Sequence, residues 1–206
     1  TKATLDITAD AGQMKVYGDA DPVFTYVASG FKNGDTNAIL SGSLIRFAGQ
    51  NVGFYAIQPG TIDAGGNYAI NFTSADFEIT KETLSITANA GQSKVYGNVD
   101  PVFTYSASGF KNGDTNAVVT GALSRVAGEN VGMYAIQQGT ISAGGNYTIN
   151  FTSADFEISK AALTVIANSG ISKIYGNADP TLTYQATGFK NGDTQAILSG
   201  TLARAA

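Results

Sequence analysis

The chain has 206 residues, a net charge of −4 and only 14% charged side chains, with 25 glycines and neither cysteine nor histidine. This composition is too apolar for a disordered chain, and its few, scattered lysines and arginines do not form the basic stripe of a nucleic-acid-binding protein. Without histidine or cysteine, a Ser-His-Asp triad, a Cys-His pair or an ordinary zinc site is impossible, whereas carboxylate or lysine chemistry remains open. The carboxylates considered below do not favour a site, so we predict no catalytic site, no metal site and no cofactor.

The sequence gives no sign of a membrane segment or a leader. No stretch approaches the roughly 18 apolar residues needed to cross a bilayer. The first residues, TKATLDITAD, do not have the basic and then apolar pattern of a signal peptide. Because the chain starts at Thr1 and ends abruptly at Ala206, we expect it to be part of a longer protein, whose export signal would lie outside it.

One loop is written three times along the chain. The stretch GFKNGDTNA begins at Gly30 and again at Gly109, and GFKNGDTQA begins at Gly188. The surrounding sequence repeats with the same spacing, which indicates tandem domains of one kind, each large enough for a small core of its own. We therefore predict three domains, at residues 2–80, 81–159 and 160–206.

The third copy is shorter than the first two. Ala206 corresponds to Ala127 and Ala48, so the counterpart of residues 128–159 is missing from the sequence. Losing three strand-like segments should expose apolar edges. We expect residues 160–206 to be the least stable part of the chain.

Each copy has the pattern of a small β domain. In TLDIT, apolar and polar residues alternate, which places Leu5 and Ile7 on one face of a strand. Six further segments of the first copy predict strands, and glycine-containing turn signals separate them: MKVYG, PVFTYVASG, SLIRF, GFYAI, YAINF and DFEIT. The predicted fold class is a mostly β, elongated tandem array of small all-β domains, each a β-sandwich or β-grasp-like sheet with at most one short helical turn.

The backbone geometry of the repeated loop accounts for its residue types. Gly30 ends a strand, and Asn33-Gly34 supplies positive φ for a tight turn. In GDTNAIL, Asp35 or Thr36 stands where the N-cap of a short helical turn belongs. The loop is thus interpreted as a fold signature and not as a phosphate-binding loop.

The joints between copies have no flexible spacer. DFEITKETLSIT runs across Lys81, and DFEISKAALTVIA runs across Lys160, without glycine or proline. Flexible linkers are rich in glycine and serine. We expect close, semi-rigid coupling of successive domains.

Charged residues that recur in every copy are the first candidates for a site: Lys15, Asp21, Lys32, Asp35 and Arg46, with Asp76 and Glu78 recurring once. Asp19, Asp21 and Asp35 could bind calcium, but Asp19 becomes Asn98 and Asn177, so turn capping is the preferred interpretation. Asp76 and Glu78 share a strand face, whereas a glycosidase needs carboxylates across a cleft. Arg46 paired with an acidic neighbour is interpreted as a weak surface salt bridge.

Recurring tyrosines could line a sugar-binding platform, although they more often fill a core: Tyr17, Tyr26, Tyr55 and Tyr68, with Met133 and Tyr134 in the second copy where the first has Phe54 and Tyr55. Asn71, Asn146 and Asn150 begin N-glycosylation triplets, a pattern that short sequences match by chance. No ligand-binding residue can be assigned from these patterns.

Taken together, the motifs resemble the MBG-type repeat domains of large bacterial surface adhesins and filamentous-haemagglutinin-like exoproteins. The resemblance rests on these segments: Tyr17-Gly18, Asp21-Pro22, Thr25-Tyr26, GF.NGDT, AG.NVG.YAI from Ala48 to Ile57, GGNY.I.F and FEI. It implies a secreted or cell-surface stalk module, repeated to set length, and the family carries no catalytic residues over to this chain.

We therefore predict non-catalytic spacer repeats of a bacterial adhesin, located outside the cell. The alternative is a weak, multivalent carbohydrate- or protein-binding module that gains by avidity. Adjacent repeats are the expected partners, with surface glycans or proteins as a further class. No nucleic acid, no membrane insertion and a monomeric chain are expected.

Overall fold

The computed structural model describes residues 1–205, and Ala206, the last residue of the predicted third domain, lies outside the described residues. The chain is mostly β, with 38% of residues in strands. Three one-turn 3-10 helices, Asn37–Ile39, Asn116–Val118 and Gln195–Ile197, are the only helical elements among the described residues. None of the described helices is long and apolar enough to cross a membrane.

The first repeat contains seven strands: β1 (Ala3–Ala9), β2 (Met14–Val16), β3 (Tyr26–Ser29), β4 (Ile45–Arg46), β5 (Gly53–Gln58), β6 (Tyr68–Thr73) and β7 (Asp76–Thr80). They form a three-stranded sheet in the order β3-β1-β6 and a four-stranded sheet in the order β2-β7-β5-β4. In the first sheet β1 pairs antiparallel with β3 and parallel with β6. In the second, β7 pairs parallel with β2 and antiparallel with β5, which pairs antiparallel with β4.

The second repeat has the same seven strands: β8 (Glu82–Ala88), β9 (Ser93–Val95), β10 (Tyr105–Ser108), β11 (Ser124–Arg125), β12 (Gly132–Gln137), β13 (Tyr147–Thr152) and β14 (Asp155–Ser159). Its sheets have the orders β10-β8-β13 and β11-β12-β14-β9, as in the first repeat. In the third, the described residues form only β15 (Thr164–Ala167) and β16 (Tyr184–Thr187), which pair antiparallel.

Alternation along the strands builds the core, as the sequence predicts. Leu5 and Ile7 of β1 are fully buried, and Asp6 between them is exposed. With Ala64 and Tyr68 they form one apolar cluster. In the second sheet, Phe77 is fully buried and meets Phe24 edge to face, with ring centroids 5.2 Å apart. Burial of such side chains is the main force that stabilises a domain of this size.

Two predicted strands are shorter than expected. The segment expected to start at Pro22 becomes a strand only at Tyr26. At Thr25 the backbone N–H bonds the side-chain oxygen of Gln13, and the carbonyl accepts from the amide of Gln13 and from the backbone of Asp10. Only Ile45–Arg46 of SLIRF is paired. The predicted loop geometry is confirmed, since Asn33 and Gly34 both have positive φ, and Thr36, not Asp35, is the N-cap.

Compact units in the chain do not follow the repeat boundaries. The first unit comprises residues 1–86, 106–121 and 141–152, and the second comprises 87–105, 122–140 and 153–206. The whole first repeat and the first sheet of the second repeat, apart from residues 87, 88 and 105, thus belong to one unit. The second unit contains the second sheet of the second repeat together with the third repeat.

Candidate functional site: the joint between successive repeats

Successive repeats are joined by very short connections. Strand β7 ends at Thr80 and β8 begins at Glu82, so Lys81 alone separates them. At the second joint β14 ends at Ser159 and β15 begins at Thr164. One residue thus separates the strands at the first joint and four separate them at the second.

A tyrosine-glycine turn forms the centre of the first joint. Tyr17 follows β2 directly and is only 5% exposed. Its hydroxyl donates a hydrogen bond to the carboxylate of Asp114, at 3.0 Å. Its ring meets the edge of Tyr147, with centroids 5.4 Å apart. Tyr147 donates to the same carboxylate oxygen of Asp114, at 2.7 Å, so this acceptor, in the second repeat, binds one tyrosine from each repeat.

The glycine after the tyrosine is required for two reasons. Gly18 has a φ of +88°, a conformation that other residues rarely adopt. A Cβ added to Gly18 would lie 2.3 Å from the Cβ of Lys111, so any side chain would force the two backbones apart. The turn therefore packs directly on the aliphatic stem of a lysine from the next repeat.

The second joint repeats two of these contacts. Tyr96 donates a hydrogen bond to Asp193 at 3.0 Å, across the same sequence separation of 97 residues as between Tyr17 and Asp114. A Cβ at Gly97, whose φ is +83°, would lie 2.4 Å from the Cβ of Lys190. One contact geometry is thus used at both repeat boundaries.

Asparagine side chains complete the first joint. Asn146 donates its amide to the side-chain oxygen of Asn51, at 3.0 Å, and accepts the backbone N–H of Val52, at 2.9 Å. Lys111 lies 3.7 Å from Asp19 and 3.5 Å from Glu82. These two ion pairs are partly exposed and contribute little, so the tyrosine, glycine and asparagine contacts determine the geometry.

A buried ionic cluster lies behind the turn. Asp21 accepts two hydrogen bonds from the guanidinium of Arg46, at 2.8 and 3.0 Å, and its carboxylate lies 2.8 Å from the ammonium of Lys15. The side chains of Lys15 and Arg46 are 4% and 5% exposed. The guanidinium also stacks over Phe77, 5.3 Å from the ring centroid. The expectation that Arg46 makes a mere surface salt bridge is wrong, because its guanidinium is enclosed between apolar side chains and carbonyls.

The second repeat builds the same cluster with one more carboxylate. Arg125 bonds Asp100, and Glu129 accepts from both Arg125 and Lys94. Hydrogen bonds from Arg125, and then from Lys94, lower the pKa of Asp100 despite its partial burial. At Asp21, burial opposes ionisation, but the bonds from Arg46 and Lys15 outweigh it and lower the pKa. Both carboxylates therefore stay charged at a lower pH than an unpaired aspartate does.

A family model of the MBG domain, YGX type, matches residues 5–78, 84–157 and 163–206. The chain belongs to the MBG domain family. The tyrosine-glycine pair that precedes a variable residue stands at 17–19, 96–98 and 175–177, and the first two of these turns form the joints described above. No curated protein and no solved structure matches the chain.

The candidate calcium ligands of the MBG repeat lie apart and have other partners. Asp21 is held by Lys15 and Arg46, Asp35 accepts the hydroxyl of Tyr68 at 2.7 Å, and Asp19 faces Lys111. Among the described residues, no three acidic side chains gather into a cluster that could hold a metal ion.

The remaining candidate carboxylates and asparagines lie on strands or at the first joint. Asp76 and Glu78 lie on β7, the first exposed and the second half-buried. Asn71 donates its amide to Asp6 across the first sheet, at 2.7 Å. Asn150, which begins a second glycosylation triplet, is exposed on β13. Asn146 begins the third, and its amide bonds Asn51 in the first joint.

The recurrent tyrosines do not form one platform. Tyr17 and Tyr68 are buried, Tyr26 is half-buried on β3, and Tyr55 bonds the backbone of Asn51 while Arg46 stacks on its ring. Tyr134 does the same with Asn130 and Arg125, and Met133 is exposed beside it. A groove of about 440 Å³ on the first repeat is lined by residues 21–24 and 43–50, which include none of these tyrosines.

Sequence reasoning missed the partners of the joint. The sequence predicts Tyr17 as a platform or core residue and shows Asn146 only as part of a glycosylation triplet. The recurrence of Tyr-Gly at every repeat was the available signal, but a contact over 97 residues has no local pattern in the sequence.

Proposed function

We propose that these MBG repeats are a non-catalytic spacer of a bacterial cell-surface or secreted adhesin, in which each repeat fixes the orientation of the next. The observation that carries this proposal is the recurrence of one joint: Tyr17 bonds Asp114 as Tyr96 bonds Asp193, both at 3.0 Å. Repetition of one joint gives each added repeat the same geometric increment, which is what a spacer of adjustable length needs.

The type of contact supports a stiff joint. Domains of one chain move relative to each other unless their interface is substantial. Here the connection is a single residue, Lys81, and the interface adds a close glycine-lysine approach and a buried tyrosine hydrogen bond. Buried hydrogen bonds to charged groups are directional and costly to break. Together these contacts oppose bending at Lys81.

The positions of the recurrent charged residues support a structural, non-catalytic role. Lys15 and Arg46 both pair with Asp21, and Lys111 and Asp114, the counterparts of Lys32 and Asp35, bind the preceding repeat. The MBG family is not an enzyme family. The cell-surface setting rests on the resemblance of the motifs, and the gene sequence that flanks this stretch would test it by showing an export signal and further repeats.

Two sequence-based expectations stay predictions. Small-angle scattering tests whether the array is elongated. A glycan array tests the alternative of weak multivalent binding, and reproducible binding that is lost when the exposed Phe54 or Met133 is changed to alanine would favour it over the spacer.

A distance measurement across the first joint tests the proposal. Because the chain has no cysteine, Thr8→Cys on β1 and Thr148→Cys on β13, both at exposed positions, can carry two spin labels in the otherwise unchanged chain. We expect a single narrow distance distribution. Tyr17→Ala should broaden it, since the substitution removes both the ring contact and the hydrogen bond.

The matched control is Tyr175→Ala, the same change at the equivalent residue of the third repeat. Tyr175 is 101% exposed, so the distribution across the first joint should stay narrow. A broad distribution in the unchanged chain would refute a stiff joint, and a distribution that Tyr17→Ala leaves narrow would show that the contacts of Tyr17 do not hold the joint.

A further inference from the structure

Each MBG repeat has a small polar surface that meets the preceding repeat. We name it the acceptor face. In the second repeat it consists of Lys111, Asp114, Asn146 and Tyr147, and in the first repeat of Lys32, Asp35, Asn67 and Tyr68.

The acceptor face of the second repeat is covered within the first compact unit. Tyr17 bonds Asp114, Gly18 packs on Lys111, and the backbone of Val52 bonds Asn146. Lys111 and Asn146 are accordingly half-buried.

The acceptor face of the first repeat has the same internal geometry. The backbone N–H of Lys32 bonds the hydroxyl of Tyr68 at 2.8 Å, and Tyr68 donates to Asp35 at 2.7 Å. The corresponding distances around Tyr147 are 2.9 and 2.7 Å. The binding geometry is therefore already formed in the first repeat.

The first repeat presents this preformed face to solvent. Lys32 and Asn67 are exposed, unlike their half-buried counterparts in the second repeat. Together with Asp35 and Tyr68 they line a concave surface of about 730 Å³, next to residues 1–3. The same side chains in the same arrangement have a known occupant one repeat further along.

We propose that the acceptor face of the first repeat is a docking site for the tyrosine-glycine turn of a further MBG repeat placed ahead of Lys2. The partner's tyrosine hydroxyl bonds Asp35, its glycine packs on the stem of Lys32, and an asparagine loop like that of Asn51 and Val52 meets Asn67. The inference rests on the joint geometry and does not depend on the spacer function.

The joint geometry favours a whole repeat as the partner over the third repeat of a second chain. Tyr175 is fully exposed, and a Cβ at Gly176 would meet no atom within 4 Å, so this turn is sterically free to dock. At the first joint, however, the turn and the acceptor face belong to repeats that Lys81 alone connects, so the docking is intramolecular. The turn of a second chain would have no such connection to the acceptor face.

The test is an extended chain in which a second copy of residues 2–80 precedes Lys2, so that the new boundary has the sequence of the Thr80–Lys81 boundary. Amide hydrogen exchange of Lys32 is the readout, with Lys111 in the same molecule as the standard. We expect exchange at Lys32 to slow by about tenfold or more on extension and to approach that of Lys111.

Two substitutions identify the contact. In the added copy, changing the tyrosine equivalent to Tyr17 to alanine should restore fast exchange at Lys32, whereas the same change at the equivalent of Tyr26, which is not in the turn, should not. Since the first variant alters only the added copy, the original repeats remain folded and Lys111 stays protected.

Unchanged exchange at Lys32 on extension, with Lys111 protected, would overturn the docking proposal. So would slowed exchange that persists after the turn tyrosine is removed. Either result leaves the distance measurement across the first joint unaffected, so failure of docking and failure of the stiff joint can be told apart.

Discussion

Asp114 accepts the hydroxyl of Tyr17 from the preceding repeat at 3.0 Å, through the same oxygen that accepts Tyr147 from its own repeat. One carboxylate thus connects the fold of a repeat to its joint. Any change that disturbs the fold around Tyr147 must also be felt at the repeat boundary.

The burial of Tyr147 beside this carboxylate predicts a less stable chain at alkaline pH. Burial, together with the nearby charge of Asp114, raises the pKa of Tyr147 to about 12, whereas an unfolded tyrosine ionises near pH 10. Between these values the folded chain retains a proton that the unfolded chain has lost. The contribution to stability is therefore complete below pH 10 and is lost as the pH rises towards 12.

Urea unfolding at pH 9 and pH 11 measures this effect. We expect the free energy of unfolding to fall between the two, and Tyr147→Phe to reduce the fall. Some dependence should remain, because burial and Asp35 also raise the pKa of Tyr68, against the bond from the backbone of Lys32. An identical pH dependence in native chain and variant would rule out this origin.

The glycine of the turn predicts a position-dependent penalty. Alanine at Gly18, Gly97 or Gly176 would have to adopt φ values of +88°, +83° and +88°, which costs about 1–2 kcal/mol at each. At Gly18 and Gly97 the added Cβ also overlaps a lysine of the next repeat, which adds about 1–3 kcal/mol.

Gly176→Ala is the matched control, because its Cβ would meet no atom within 4 Å. Thermal or urea unfolding of the three variants measures the difference. Equal destabilisation by Gly18→Ala and Gly176→Ala would mean that the close approach to Lys111 contributes nothing.

The strands could be predicted because their cause is local. Alternation at Leu5 and Ile7 predicts β1, and the sequence Asn33-Gly34 predicts the positive-φ turn. The prediction of a strand from Pro22 to Thr25 is wrong: the composition of this segment favours a strand, but the segment forms none. The side chain of Gln13 bonds the backbone of Thr25, a contact that the local sequence does not show.

The joint could be predicted only in part. The lack of glycine and proline around Lys81 correctly indicated a short connection. The burial of Arg46 and the pairing of Tyr17 with Asp114 could not be deduced, since both depend on which distant residues meet after folding. The recurrence of a charged residue in each repeat is equally compatible with an exposed ion pair and with a buried ionic cluster.

The ionic cluster predicts unequal effects of one substitution at two equivalent arginines. The side chain of Arg46 is 5% exposed, bonds Asp21 twice and stacks on Phe77. Arg46→Ala leaves Asp21 with Lys15 alone and opens a gap over the ring, so we expect a loss of about 2–4 kcal/mol in the free energy of unfolding.

Arg204 bonds Asp179 through its Nε, and its side chain is 62% exposed. Arg204→Ala should cost less than about 1 kcal/mol, as exposed ion pairs do. Chemical denaturation of both variants tests the pair, and a similar loss from the two substitutions would show that burial of Arg46 is energetically unimportant.

The third repeat is predicted to open more readily than the second. Leu84 and Ile86 are fully buried on β8, whereas Leu163 is only half-buried and Val165, at the position equivalent to Ile86, is 46% exposed. Less apolar surface is removed from water there, so β15 and β16 have less to stabilise them. Amides of residues 164–167 should exchange about a hundredfold or more faster than those of β8, because exchange from a less stable region needs only local opening. Both strands can be followed by mass spectrometry in one sample of the unchanged chain, and equal protection would show that the pairing of β15 with β16 suffices without a covered core.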